Sequence, residues 1–405
     1  MHRSPDQKSP GIRCPRRATL ALLTATFATF AVFDAEAGDG LDCLACPTID
    51  QTTCPALAKA LARPEVTVAE LGAWLDRAPA GSKDLPHAAQ VLAILGGEKA
   101  RAHLTSAAKR LGDSEFAVDL QAAAARAGEK SMIDALVATG TKGEPRARLV
   151  AISTLASLQA PQAAALARAN LKAEDHRLAA GAIVALGKVG TNEDAPTLLT
   201  LLRRTDLGAI ERRACLLALT RLEFEGAMLE ATQLVSHPAP RVAQAALALL
   251  AVAPPTWCSP AIRWALERPT LQQAAAPAAV GLHDDTVAGV ALRAATATVL
   301  PTPNYVALLE VVASAPADGA AKRLLDHAEA LDDEGKVATL KCVARLRDRS
   351  VVPRLVESLV SARAQVANFT VYALEELTGE RLGGDVHVWR AWLQGGKAAA
   401  AAKAP

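Results

Sequence analysis

One kind of segment returns along this chain at almost constant spacing, and that period constrains the fold more than any single motif. Aligned on small-residue stretches such as GAIVALGKV, an apolar anchor falls at Leu155, Leu186, Leu219, Leu250, Val280, Val343 and Leu374. The gaps are 31, 33, 31, 30, 63 and 31 residues, the long one being two periods with a blurred copy near Val311. Ala124 and Ala93 carry the series toward the N-terminus. Each period also repeats a grammar. A first helix rich in Ala and Gly ends near Gly, Pro or Asp. A short turn leads to a leucine-bearing second helix, as in PQAAALARANL (161–171), APTLLTLLRR (195–204) and SVVPRLVESLVS (350–361). Two helices in so short a unit leave room only for tight turns, so each unit is a helical hairpin. A lone hairpin cannot bury both its apolar faces, and stacking on near-copies completes the core. The expected fold is all-α: a right-handed α-solenoid of about ten two-helix units occupying residues 81–393.

Composition agrees with close stacking. The chain is 51% hydrophobic but only 3% aromatic, with alanine supplying much of the apolar share. A core of that kind depends on helices approaching near the short end of the roughly 8–10 Å range. No alternation of apolar and polar residues argues for a sheet.

Residues 1–37 have the pattern of a secretory signal peptide. Arg13, Arg16 and Arg17 form a basic region, Ala18–Phe33 an apolar stretch, and Ala35-Glu36-Ala37 a small-x-small cleavage pattern ending at Ala37. Sixteen apolar residues are short for a membrane span, which needs roughly 20, so an uncleaved signal anchor is the secondary reading. The protein is therefore expected outside the cytoplasm, periplasmic or extracellular, with no stable span after cleavage. Of 44 basic and 42 acidic residues, the leader holds five and three, which leaves 39 of each. A balanced chain argues against nucleic acid as a partner. Residues 38–80 read as a cysteine-containing segment and helical cap, and 394–405 (QGGKAAAAAKAP) as a disordered low-complexity tail.

GAIVALGKVGTNEDAPTLLTLLRR resembles the short HEAT repeat of the phycobilisome-lyase-like subfamily. Arginines seven residues before the anchor, at Arg148 and Arg212, are similar to that family's repeat. The stretch ALEELTGERLGGDVHVWRAWL (373–393) resembles a closing segment of bacterial HEAT proteins, with Trp389 and Trp392 on one helix face. The resemblance spans roughly 85–393, is firmest in 144–240 and 336–393, and is weakest in 271–335. It implies a solenoid whose second helices line the concave wall, and it says little about activity. Candidate partner-binding residues on that wall are Arg168, Arg203, Arg204, Arg263, Trp264, Arg323 and Arg354. They suggest either a groove for an acidic or extended protein or the solvated faces of amphipathic helices. The Trp389/Trp392 pair is expected to pack over the last repeat, with an exposed aromatic patch as the alternative.

Chemistry is sparse. HEAT hydroxylases hold two irons on paired His-Glu motifs, and none of the eight histidines here is followed by Glu. His283-Asp284-Asp285 reads as a polar turn before it reads as a metal site. Neither a G-x-S-x-G elbow nor an H-E-x-x-H helix occurs, and Gly187-Lys188-Val189-Gly190 ends a first helix where a cap belongs. The expectation is therefore no catalytic residue, metal or cofactor. Cys43, Cys46 and Cys54 suggest a local disulfide in an oxidising compartment, and Cys258 is a possible partner for Cys215. The functional expectation is a non-catalytic protein-binding scaffold or adaptor. The alternatives are a lyase-like or ligand-carrying member of the subfamily, or a structural spacer of the cell envelope.

Overall fold

The computed structural model describes residues 55–112, 114–315 and 317–401. Ala37, Cys43, Cys46 and Cys54 lie outside them. The described chain is a series of helical hairpins. The first four are α1 (Pro55–Ala62) with α2 (Pro64–Arg77), α3 (Leu85–Leu95) with α4 (Gly97–Arg110), α5 (Ala117–Arg126) with α6 (Ser131–Lys142), and α7 (Pro145–Ser157) with α8 (Ala163–Asn170). Then come α9 (His176–Val189) with α10 (Ala195–Leu202), α11 (Ala209–Arg221) with α12 (Met228–Leu234), and α13 (Pro240–Leu250) with α14 (Ser259–Leu266). The last four are α15 (Gln272–Leu282) with α16 (Asp285–Ala297), α17 (Thr302–Ser314) with α18 (Ala320–Ala328), α19 (Asp333–Leu346) with α20 (Val352–Ser358), and α21 (Ala364–Thr378) with α22 (Val386–Ala401).

Odd-numbered helices pack on one another in one layer, from α3 against α5 through α19 against α21. Even-numbered helices form the other, as in α2 with α4, α14 with α16 and α20 with α22. The molecule is an all-α solenoid whose first helices carry every anchor of the sequence period. Leu155, Leu186, Leu219, Leu250, Val343 and Leu374 are fully buried in one continuous hydrophobic core. In the copies at 93 and 280 the buried position lies one residue earlier, at Leu92 and Ala279, while Ala93 and Val280 are half-buried. The alanine runs of 271–335 blur the sequence period but not the stacking, and α15 keeps its place despite Pro277 inside it. The hairpin of α1 and α2 adds a unit ahead of residue 81, within the segment expected to be a cap.

Small residues do what close stacking requires. A Cβ on Gly187 of α9 would stand 2.6 Å from Cα of Ala218 on α11. The arginines of the repeat also have a structural role. From α11, Arg212 donates to the carbonyls of Leu202, Arg204 and Leu207, where the end of α10 and its turn leave oxygens without helical partners. Arg148 donates to the Asn170 Oδ1 at the end of α8. First helices end without glycine at several turns: Gln159, Glu223, His283 and Arg347 all adopt left-handed backbone, with φ of 55°, 51°, 48° and 55°.

Trp389 closes the array. It is fully buried, its Nε1 donates to the Gly383 carbonyl at 2.7 Å, and Trp392 meets it edge-to-face at 5.9 Å between centroids. The alanine-rich tail set off at 394 begins as a continuation of α22, which runs on to Ala401.

The bridge considered between Cys215 and Cys258 is not formed. Both are free, buried thiols, as is Cys342. Cys215 lies on the inner face of α11 and Cys258 in the 3-10 turn Thr256–Cys258 that opens α14, each enclosed by the core. Burial pushes Cys215 and Cys342 up to about 12 and Cys258 up to about 11, so these groups act as small hydrophobes.

Candidate interaction surface

The second helices and their ends carry the residues picked from the sequence, and most of these are bound to neighbouring units. Arg168 of α8 grips Asp194 with two hydrogen bonds, Nε at 2.7 Å and a terminal nitrogen at 3.0 Å. Asp194 also accepts the Thr191 backbone N–H, closing a capping box ahead of α10. The Arg168 guanidinium is the main reason that the Asp194 carboxyl sits below its ordinary value. Arg203 reaches Glu230 of α12 at 2.6 Å. Arg354 of α20 meets Asp326 and Glu329 at α18 and its end. Arg390 of α22 pairs with Glu357 of α20, and His103 of α4 meets Asp76 of α2 at 2.8 Å. Arg204 stays local, on Asp206, while Arg323 donates a long 3.4 Å bond to the Thr296 hydroxyl. Half of the six arginines picked from the sequence, Arg168, Arg203 and Arg354, are thus met by carboxylates one unit away. The arginines are rungs between hairpins.

A different feature stands out where α14 begins. Trp257, in the 3-10 turn that opens α14, is half exposed, at 51%, and Trp264 follows it by seven residues on α14 itself, half-buried with its ring packed against the core. Pro260 and Ala261 come between them in the chain, and the Arg268 guanidinium stacks over the Trp264 ring at 3.5 Å. Leu229 of the preceding second helix, α12, is 56% exposed. The Nε of Arg263 on α14 is buried without a hydrogen-bond partner among the described residues. Trp264 and Arg263 were legible in sequence, while Trp257 and Arg268 were not singled out. The signal available was the seven-residue spacing in WCSPAIRW.

Other polar positions have structural partners. Asp284, in the candidate metal triplet, caps α16: it accepts the Thr286 and Ser259 hydroxyls and the Thr286 and Val287 N–H groups, and these bonds, the Thr286 hydroxyl's first, hold its carboxyl down at about 2. Buried Glu211 binds His176, and the Tyr305 hydroxyl meets Thr339 at 2.8 Å. Among the described residues no group of three His, Cys, Asp or Glu side chains is placed to hold a metal. A shallow, open depression of about 430 Å³ by α4 is lined by Glu98, Arg101, Thr105, Lys109 and Glu129, charges of both signs.

Stacked two-helix units, small residues at the closest helix contacts and arginine rungs between units define an α-solenoid. Consistent with this, residues 132–220 match the family described as HEAT repeats. No curated protein matches the chain. Among solved structures, an engineered protein is 17% identical, covering 76% of this chain and 98% of its own at a TM-score of 0.43. Human deoxyhypusine hydroxylase in complex with glycerol is 18% identical, covering 62% of this chain and 97% of its own at a TM-score of 0.27. A Kap121p mutant is 15% identical, covering 84% of this chain and 44% of its own at a TM-score of 0.39.

Proposed function

We propose that this protein is a non-catalytic adaptor that binds another protein along the second-helix wall, with the Trp257–Trp264 stripe as its centre. The observation that carries the reading is the stripe itself. Exposed Trp257 in the turn that opens α14, half-buried Trp264 on α14 with the Arg268 guanidinium over its ring, and exposed Leu229 on the preceding second helix, α12, belong to successive hairpins of a chain with few aromatic residues. Tryptophan and arginine are the side chains that most often dominate binding energy at protein interfaces. A rigid solenoid presents such anchors at small conformational cost. The arginine rungs then act as fixed geometry around the stripe, holding α8 to α10, α10 to α12 and α18 to α20 in register.

The signal-like N-terminus supports a second element of the proposal, action outside the cytoplasm, periplasmic or extracellular. Membership of the phycobilisome-lyase-like subfamily rests on the resemblance of residues 144–240 and 336–393. Among the described residues no helix is long and apolar enough to cross a membrane.

The test is site-specific photo-crosslinking in the native host. A photoreactive residue at position 257 or 229 should give one shared, defined adduct. The same residue at position 306, exposed on the first-helix layer, should not. Trp257→Ala should remove the adduct formed from 229. Equal adducts from all three positions would overturn the reading, and so would an unchanged adduct in Trp257→Ala.

A further inference from the structure

Two residues beyond the anchor, the copies of the first helix differ in a telling way. Ser157, Val252, Leu282 and Ala313 occupy this place in four of them, so the fold does not require a cation there. Yet Arg126, Lys188 and Arg221 hold it on α5, α9 and α11, and all three are exposed. Packing brings them together. Gly187 and Ala218 make the close contact between α9 and α11. Lys188 adjoins the first and Arg221 lies one turn beyond the second. Arg126 reaches over the intervening helix, donating to the Thr154 hydroxyl of α7 at 3.0 Å. Arg345, at the same place on α19, is paired with Glu310, but Lys188 and Arg221 make no ion pair among the described residues. Glu223 and Glu225, the carboxylates that follow Arg221, form none with it either.

We propose that Arg126, Lys188 and Arg221 form a cationic ridge on the first-helix wall that docks an acidic, extended segment of a partner protein. The ridge has the sign and spread for successive carboxylates on one strand of chain. It is built wrongly for a small oxyanion. These are helix C-termini, whose carbonyl ends repel anions and supply no N–H donors. Burial, and then the neighbouring charges of Arg221 and Arg126, hold the Lys188 ammonium below its ordinary value; an incoming carboxylate relieves that repulsion. This contact lies on other helices than the tryptophan stripe and is tested separately from it.

The experiment measures fluorescence anisotropy of a labelled oligoglutamate peptide with the full-length chain. The double variant Lys188→Glu/Arg221→Glu should bind about tenfold more weakly or worse, and the conservative Lys188→Arg/Arg221→Lys should bind like wild type. The control Lys83→Glu/Arg241→Glu makes the same change in net charge at two exposed positions outside the ridge and should leave affinity within about twofold. Inorganic phosphate should compete only as added ionic strength does. The proposal fails if the control weakens binding as much as the ridge variant. It fails equally if phosphate displaces the peptide at matched ionic strength, or if the wild-type chain does not bind it.

Discussion

Replacing Gly187 by alanine is a small perturbation whose sign the structure decides. In an unobstructed helix interior the change stabilises by about 0.8–1.0 kcal/mol, because alanine restricts the unfolded chain and favours the helix. Gly187 is not unobstructed. The new methyl carbon would stand 2.6 Å from Cα and 2.7 Å from Cβ of Ala218, and the first of these is backbone, with no rotamer to yield. Relieving it means moving α9 from α11, and overpacking of this kind costs about 1–3 kcal/mol. Set against the helix gain, the net expectation is destabilisation by up to about 2 kcal/mol. Gly289, inside α16, is the matched control: a Cβ there meets nothing within 4 Å. Gly289→Ala should therefore stabilise by up to about 1 kcal/mol. Urea denaturation followed by far-ultraviolet circular dichroism compares the two midpoints at a common slope. Hydrogen exchange on α9 and α11 checks that the loss is local. If Gly187→Ala raised the midpoint as Gly289→Ala does, the close approach of these helices would be refuted, and with it the explanation for small residues in the first helix.

Asp284→Ala should cost about 1 kcal/mol through loss of the α16 cap, read as a lower denaturation midpoint at neutral pH. With a folded value of about 2 against an ordinary 3.8, the carboxylate stabilises the fold above about pH 4 and loses that contribution as pH falls toward 2. The difference between Asp284→Ala and wild type should shrink over that window, and a gap that stays constant to pH 2 would contradict the capping role. Arg168→Ala should cost about 1–2 kcal/mol, because it leaves buried Asp194 without its two-pronged partner, whereas Arg204→Ala, which loses only an exposed pair within one turn, should be silent; equal effects would undo the distinction between rung and surface pair. Cys215, Cys258 and Cys342 should resist a thiol reagent in the native protein and label fully in denaturant, with peptide mapping to assign them.

The architecture was legible because its physics is local and repeated. Leu186 and Leu219 recur at nearly one period, and each sits where a neighbouring hairpin must cover it. The same logic explains the failures. Val280 is half-buried while Ala279 is buried, since runs of alanine give no size contrast by which to fix the phase. Four first helices turn through left-handed backbone without glycine, so the expected punctuation was missing at Gln159, Glu223, His283 and Arg347. The candidate site was harder. Arg168, Arg203 and Arg354 looked like free cations because their partners lie 25–28 residues away, a spacing that pairs charges only once hairpins are stacked. The Lys188–Arg221 cluster was hidden for a similar reason, since it depends on how closely Gly187 meets Ala218.

The substantial helix contacts never reach past the second element along the chain. Length is therefore a free variable of this design. Excising one hairpin at matched turns rejoins two surfaces that already know how to fit, and duplicating one inserts a layer that both neighbours accept. Lineages carrying such a chain can change its span in whole-unit steps while the distance between the tryptophan stripe and the cationic ridge is kept or altered at will.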